Sequence, residues 1–421
     1  MEIYVVKSGD TLYSIARRFN LPMDEIVYDN QLENPAVLSV GQALILGGNS
    51  GTYTVRAGDT LYSLARRLGV SLSRLLEANP EITDPAYITV GQILRIPRNQ
   101  RQIIVNGYVT GVTNSALSAA LPNLTFLSPF SWKTDTRGEL TADYRADLSL
   151  SAGQRVANLM TVTNLKPEGG FSGSIAHAVF TDVNAKNALF ANIFSALERN
   201  AFYGVNLDFE YVFQEDRENY NDFVRDLADR LHESGYILVT ALAPKLSANQ
   251  QGLLYTAHDY AVHGAAADYV VLMTYEWGYT YGPPMAVAPL NMVRRVLDYA
   301  VDVMPSEKIL MGIPNYGYDW TLPYTQGSVA RSLSNVRAVT LAGQVKAAIA
   351  FDPDAAAPFY NYTDGSGNRH EVWFEDARSI RAKLKLCEEY DLGGVSFWNL
   401  NRLWRTSFRM IESLYDVKKV L

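Results

Sequence analysis

From Gln102 onward the chain alternates short apolar runs with longer segments of helical periodicity, and it does so eight times. The candidate strands run Ile103 to Tyr108, Leu124 to Phe130, Ala157 to Val162, Val205 to Phe209, Ile237 to Ala243, Tyr269 to Tyr275, Lys308 to Ile313 and Gly394 to Trp398. Helices are expected at Ala185 to Asn200, Arg217 to Ser234, Ala288 to Val303 and Asp376 to Tyr390; in the second, Phe223, Leu227 and Leu231 recur every fourth residue. Eight such units in about 320 residues predict an α/β chain closed into a (β/α)8 TIM barrel. An open, doubly wound sheet is the alternative, but no Gly-x-Gly-x-x-Gly follows the first strand. After the seventh strand, Pro358 to Tyr362 and His370 to Phe374 flank Asp364 to Asn368, which reads as a hairpin inserted into the alternation.

The segment ahead of the barrel is an internal duplication. Tyr4-Val5-Val6-Lys7-Ser8-Gly9-Asp10-Thr11-Leu12-Tyr13-Ser14-Ile15-Ala16-Arg17-Arg18-Phe19 returns 49 residues later as Tyr53 to Leu68, and Asn30 and Val40-Gly41-Gln42 return as Asn79 and Val90-Gly91-Gln92. Each copy predicts a strand, a Gly-Asp-Thr turn whose Asp or Thr can cap the next helix, a second helix and a closing strand. Such a unit of about 45 residues is marginal alone. The expected boundaries are 2–48 and 52–98 for the two modules and 102–421 for the barrel, joined by the brief polar stretch Ile96 to Arg101.

Composition narrows the function classes. A formal charge of -7 argues against nucleic acid as the main partner and leaves neutral sugars open. Cys387 is the single cysteine and the five histidines show no ligand spacing, so neither a metal nor a cofactor is expected. No run reaches the roughly 18 apolar residues that span a bilayer, so no membrane partner is expected. Met1 to Asp10 lacks a basic start followed by an apolar run, so no signal peptide is expected and synthesis in the cytosol is.

The chemistry concentrates in Tyr203-Gly204-Val205-Asn206-Leu207-Asp208-Phe209-Glu210-Tyr211. On a strand, Asn206, Asp208 and Glu210 share one side while Val205, Leu207 and Phe209 share the other. Buried parallel strands normally read as continuously apolar, so two carboxylates here mark either a strand end reaching solvent or a catalytic pair at the C-terminal mouth of the barrel. Three other strand ends carry polar or aromatic clusters: Met273-Thr274-Tyr275-Glu276-Trp277, Gly312-Ile313-Pro314-Asn315-Tyr316-Gly317 and Gly393-Gly394-Val395-Ser396-Phe397-Trp398.

These four segments, in this order, resemble the motifs of glycoside hydrolase family 18, and the hairpin after strand seven resembles the small α+β insertion that walls one side of the groove in that family. The resemblance implies a retaining, substrate-assisted hydrolysis in which the sugar's own 2-acetamido group is the nucleophile. Glu210 would be the general acid and base, Asp208 would hold the acetamide N–H and raise the Glu210 pKa, Tyr275 would bond the acetamide carbonyl, and Trp398 would floor the subsite. Asn206, Glu276, Tyr316, Trp132 and Trp277 are further candidates for substrate contact; plain packing is the competing reading for Trp132, Trp277, Tyr316 and Trp320. Two departures stand out: Asn206 occupies a position where the family has a titratable Asp, and the family's Ser-x-Gly-Gly is not evident in Thr161 to Leu165.

The N-terminal copies resemble LysM modules, which implies binding of N-acetylglucosamine-containing glycans, peptidoglycan or chitin, at Gly9, Asp10, Thr11, Leu12 and at Gly58, Asp59, Thr60, Leu61, with the segments Pro35 to Leu38 and Pro85 to Ile88; a purely structural use of the turn residues is the competing reading. Two weak modules in tandem would gain avidity on a polymer. The whole arrangement resembles the spore cortex-lytic N-acetylglucosaminidases of endospore-forming bacteria, which act in germination. That implies synthesis in the mother cell, placement in the coat and cortex region, and cortex peptidoglycan fragments as substrate. A chitinase with the same machinery and a non-catalytic glycan-binding coat protein are the alternatives.

Overall fold

The computed structural model describes residues 1–47, 52–56, 58–68, 70–96 and 100–421; the expected boundaries at 48 and 98 and the linker residues Pro97 to Asn99 lie outside the described residues. In the first module, strands Glu2–Val5 and Ala43–Leu46 pair antiparallel and enclose helices Leu12–Phe19 and Met23–Asp29. The second repeats this with Thr52–Thr54, Ile93–Arg95, Leu61–Leu68 and Leu72–Glu77.

The residues shared by the copies have local work in the fold. Gly9 and Gly58 both take φ of +85°, the left-handed region that glycine enters without penalty. Asp10 accepts from the Tyr4 hydroxyl at 2.6 Å and the Lys7 amide at 2.8 Å, and Asp59 does the same with Tyr53 and Arg56 at 2.7 and 2.8 Å. Thr11 caps its helix through Ser14, Thr60 bonds Ser63 in the same way, and Leu12 and Leu61 are buried in the module cores. Asn30 and Asn79 each tie the second helix to the closing strand, using both ends of one amide.

Eight parallel strands close the barrel: Gln102–Val109, Phe126–Pro129, Ala157–Thr163, Gly204–Asp208, Ile237–Leu242, Tyr269–Leu272, Ile309–Pro314 and Gly394–Trp398, with the eighth paired to the first. Every strand expected from the sequence is present. The alternation read in strand four also holds: Val205, Leu207 and Phe209 join the cluster facing the outer helices, while Asn206 and Asp208 are buried among the inward-facing residues. The sixth strand is shorter than expected. Its ladder stops at Leu272, and Met273 to Glu276 leave the sheet, Glu276 with φ of +67°.

Two elements are larger than the sequence suggested. A hairpin of Trp132–Thr134 and Leu140–Ala142 extends the sheet beside strand three. The insertion after strand seven is a five-stranded antiparallel sheet ordered Arg331–Ser334, Tyr316–Leu322, Arg369–Trp373, Ala357–Thr363, Ala350–Asp352, with helix Asn335–Gln344 against it. Tyr316, on its second strand, thereby reaches back to the barrel mouth.

The first module is docked on the barrel. Asp29 pairs with Arg409 at 2.9 Å and its carbonyl accepts from Thr406 at 3.0 Å. Arg405 lies 3.8 Å over the Tyr28 ring, and Ile349 of the insertion donates its amide to Val40 at 2.8 Å. The backbones approach so closely that a Cβ on Gly41 would come within 1.8 Å of the Ile349 carbonyl oxygen, whereas one on Gly91, its counterpart in the second module, would meet nothing within 4 Å. Both glycines have positive φ, +84° and +88°, so alanine strains either by about 1–2 kcal/mol. Gly41→Ala is therefore expected to lower the urea midpoint of unfolding more than Gly91→Ala, with the excess reporting lost docking. Equal losses would show that the first module does not bear on the barrel.

Candidate active site

Strand four carries its two carboxylates to the C-terminal mouth of the barrel, where functional groups of this architecture converge. There Asp208, Glu210, Tyr275, Glu276, Trp277 and Trp398 line one cleft of about 520 Å³, together with Tyr108, Tyr211, Leu254, Tyr255 and Tyr279. Among the described residues no lysine, arginine or histidine lines it. Trp398 is braced edge-on by Phe130 and Tyr108, with ring centroids 4.9 and 5.4 Å away.

Trp132, Tyr316 and Trp320 do not line this cleft. Trp132 packs against Tyr144 and Phe202, because the hairpin it starts turns back along strand three. Tyr316 is buried and spends its hydroxyl on the Glu276 carboxylate, which Tyr318 also bonds at 3.0 Å. Trp320, a groove candidate with packing as its alternative, is buried with its indole N–H on the Gly282 carbonyl. Glu276 thus pairs with two tyrosines rather than with an arginine.

Asn206 sits below Asp208 in the barrel interior, fully buried. Its amide nitrogen donates to the Tyr108 hydroxyl at 2.9 Å and to Ser128 Oγ at 3.1 Å. Ser128 donates in turn to Asn106 Oδ1, and Asn106 Nδ2 to Ser396 Oγ. A polar layer from strands one, two, four and eight therefore underlies the carboxylates. Its members are neutral, so the position where an aspartate could take up a proton is filled by a group that cannot.

Burial in this cleft favours the protonated forms of the acids. It raises Glu210 well above the usual carboxylate range, helped by the neighbouring charges of Asp208 and Glu276. It pushes Asp208 up to about 7. Glu276 is raised by the same surroundings and drawn back by the two tyrosine hydroxyls. Asp208 Oδ1 is buried and takes no hydrogen bond from any described residue. A buried acceptor without a partner costs about 1–3 kcal/mol, so this oxygen is set to receive a donor from something that enters the cleft.

Sequence reasoning missed Tyr108, Tyr255, Tyr279 and Tyr318. Tyr108 had a signal, since Asn106 and Tyr108 alternate on strand one as Asn206 and Asp208 do on strand four. The others come from loops and from the insertion, where no period marks them.

Comparison with known proteins places these features in context. Residues 159–402 match the family model described as glycosyl hydrolases family 18, and residues 4–47 and 53–97 match that of the LysM domain. A "Cortical fragment-lytic enzyme" of Bacillus subtilis is 42% identical, covering 100% of this chain and 99% of its own, and that of Bacillus anthracis is 36% identical over 100% and 99%. Among solved structures, the spore cortex-lytic enzyme SleL of Bacillus megaterium matches with a TM-score of 0.85 at 38% identity, over 100% of this chain and 99% of that one. A chitinase from Chromobacterium violaceum matches 74% of this chain and 98% of its own, with a TM-score of 0.69 and 29% identity.

The acid pair has a consequence for stability. Asp208 binds its proton more tightly folded than unfolded, with pKa raised from 3.8 to about 7, so the stability it contributes is present below its unfolded pKa and is lost as pH rises through about 7. Asp208→Asn removes this loss. The variant is expected to gain stability relative to the parent between pH 4 and pH 8 in urea unfolding, and a pH-independent difference would contradict the burial account.

Proposed function

The chain belongs to glycosyl hydrolases family 18 and carries two LysM domains, and from that premise we propose that it hydrolyses N-acetylglucosaminyl bonds in spore cortex peptidoglycan fragments. The relatives named as cortical fragment-lytic enzymes, aligned with this chain end to end, support that substrate. The observation that carries the chemistry is the pairing of a strongly raised Glu210 with a buried Asp208 whose Oδ1 has no partner.

In this reading Glu210 enters the reaction protonated and gives its proton to the glycosidic oxygen as the bond to the anomeric carbon breaks. In keeping with the family, the acetamido oxygen of the same sugar attacks that carbon and closes a five-membered oxazolinium ring, while Glu276 in the same cleft is held by Tyr316 and Tyr318. Asp208 accepts the acetamide N–H, the donor its orphaned oxygen lacks, and its negative charge balances the ring. Tyr275 fixes the acetamide carbonyl for attack, and Trp398 stacks on the apolar face of the pyranose. Glu210 then takes a proton from water as it opens the ring, so the product keeps the starting anomeric configuration.

The modules supply retention on the polymer. Gly9 to Leu12 and Gly58 to Leu61, beside Pro35 to Leu38 and Pro85 to Ile88, are the proposed glycan contacts. The second module favours this role most, since Tyr87 and Val90 are 76% and 70% exposed. A spore location follows from the substrate, in the coat and cortex region. Among the described residues no helix is long and apolar enough to cross a membrane.

Glu210→Gln is expected to lower the release of reducing ends from cortex fragments by 10³-fold or more while the fold persists. Proton NMR of the first product of the parent protein is expected to show retained configuration, and de-N-acetylated substrate is expected to resist cleavage. Inverted product, or equal rates on acetylated and deacetylated sugars, would overturn the mechanism. Faster turnover of chitin oligomers than of cortex fragments would move the substrate to chitin and leave the mechanism standing.

A further inference from the structure

Two buried side chains outside the cleft lining hold the backbone on either side of Glu210. Parallel pairing of strand four with strand three ends at Asp208 and Thr163, so the Glu210 peptide groups lie just beyond the ladder. Asn164, the next residue on strand three, takes them over. Its Oδ1 accepts the Glu210 N–H at 3.0 Å and its Nδ2 donates to the Glu210 carbonyl at 2.8 Å. The second Nδ2 hydrogen goes to the Ser172 carbonyl at 3.0 Å, and Ser172 N–H returns to the Asn164 carbonyl at 3.0 Å, so the amide is held from behind.

On the other side stands His258, fully buried, with Nε2 3.0 Å from the Phe209 carbonyl oxygen and Nδ1 2.9 Å from the Ala243 amide nitrogen. An amide N–H can only donate and a carbonyl can only accept, so Nδ1 is the bare nitrogen and Nε2 carries the hydrogen. Burial lowers the His258 pKa to about 4, which keeps this neutral tautomer at neutral pH. The ring therefore bridges the end of strand four to the end of strand five. Immediately after Glu210, Tyr211 takes φ of +54°, an uncommon conformation for a non-glycine residue that persists only where surrounding contacts enforce it.

We infer that Asn164 and His258 are positioning residues that extend the sheet by one residue to aim the Glu210 carboxyl into the cleft. The inference rests on the reading of Glu210 as the acid. It also gives the altered strand-three motif a purpose: the segment Thr161 to Leu165 ends in an amide that serves the neighbouring strand. An amide suits this place because the Glu210 peptide presents one donor and one acceptor, and an amide answers both from one planar group without a titratable proton.

The test is steady-state kinetics on a soluble chromogenic N-acetylglucosamine oligosaccharide, with melting temperature and equilibrium binding of an N-acetylglucosamine oligomer measured beside it. Asn164→Leu nearly matches the side chain in size and adds no charge, but offers neither donor nor acceptor. Asn164→Ala removes both contacts. Both are expected to lower kcat by about 10- to 100-fold with KM within threefold, the cost of a misaimed group. His258→Phe, which keeps a ring but removes both the donor to Phe209 and the acceptor for Ala243, is expected to show the same split and decides the matter if the Asn164 variants fail to fold. An inactive Glu210→Gln beside Asn164 and His258 variants with kcat within twofold of the parent would overturn the clamp alone. An active Glu210→Gln would remove the acid, and the clamp with it.

Discussion

The site is governed by what happens to two carboxyl groups withdrawn from water on one face of one strand. A carboxylate placed in a low-dielectric interior gains its proton before it accepts an unpaired charge. Asp208 and Glu210 follow each other at the period of the pleat, so the fold cannot bury one at the barrel mouth without bringing the other beside it. Glu276 adds a third acid to the same cleft, and among the described residues no lysine, arginine or histidine lines it to offset them. The arrangement favours a protonated Glu210, which is the state that a general acid requires.

The rest of the barrel mouth follows from that constraint. The layer of Asn106, Ser128, Asn206 and Ser396 beneath the acids is neutral and internally bonded, so it adds polarity without a further charge. Tyr316 and Tyr318 from the insertion hold Glu276 at the rim. These groups explain why the insertion matters to the site: its second strand delivers two hydroxyls to a carboxylate on a barrel loop. The first module is tied to the barrel and its insertion through Asp29, Tyr28 and Val40, while a Cβ on Gly91, the counterpart of Gly41 in the second module, would meet nothing within 4 Å.

Much of this was legible in the sequence. The eight strands are apolar runs of the right length, and the polar-apolar alternation at Asn206 to Glu210 is a local signal that survives folding. The short sixth strand was not legible, because Tyr269 to Tyr275 contains no turn residue to mark where the ladder stops. The size of the insertion was hidden because Tyr316–Leu322 finds its partners at Arg331–Ser334 and Arg369–Trp373, far along the chain. The docking of the first module was invisible for a different reason. The copies share the residues that build the unit, such as Asn30 and Asn79, and differ where the barrel touches, as at Asp29 and Ala78. Asn164 looked like a lost motif because its partner is a backbone on another strand.

The measurement closest to the centre of this account is the protonation state of Glu210 itself. Infrared difference spectroscopy between the parent protein and Glu210→Gln at pH 7 reads it without substrate. The account predicts that the substitution removes a band of a protonated carboxylic acid. Loss of carboxylate bands alone would mean that Glu210 is ionised at rest, and a buried, proton-bearing acid could not then be the source of the chemistry.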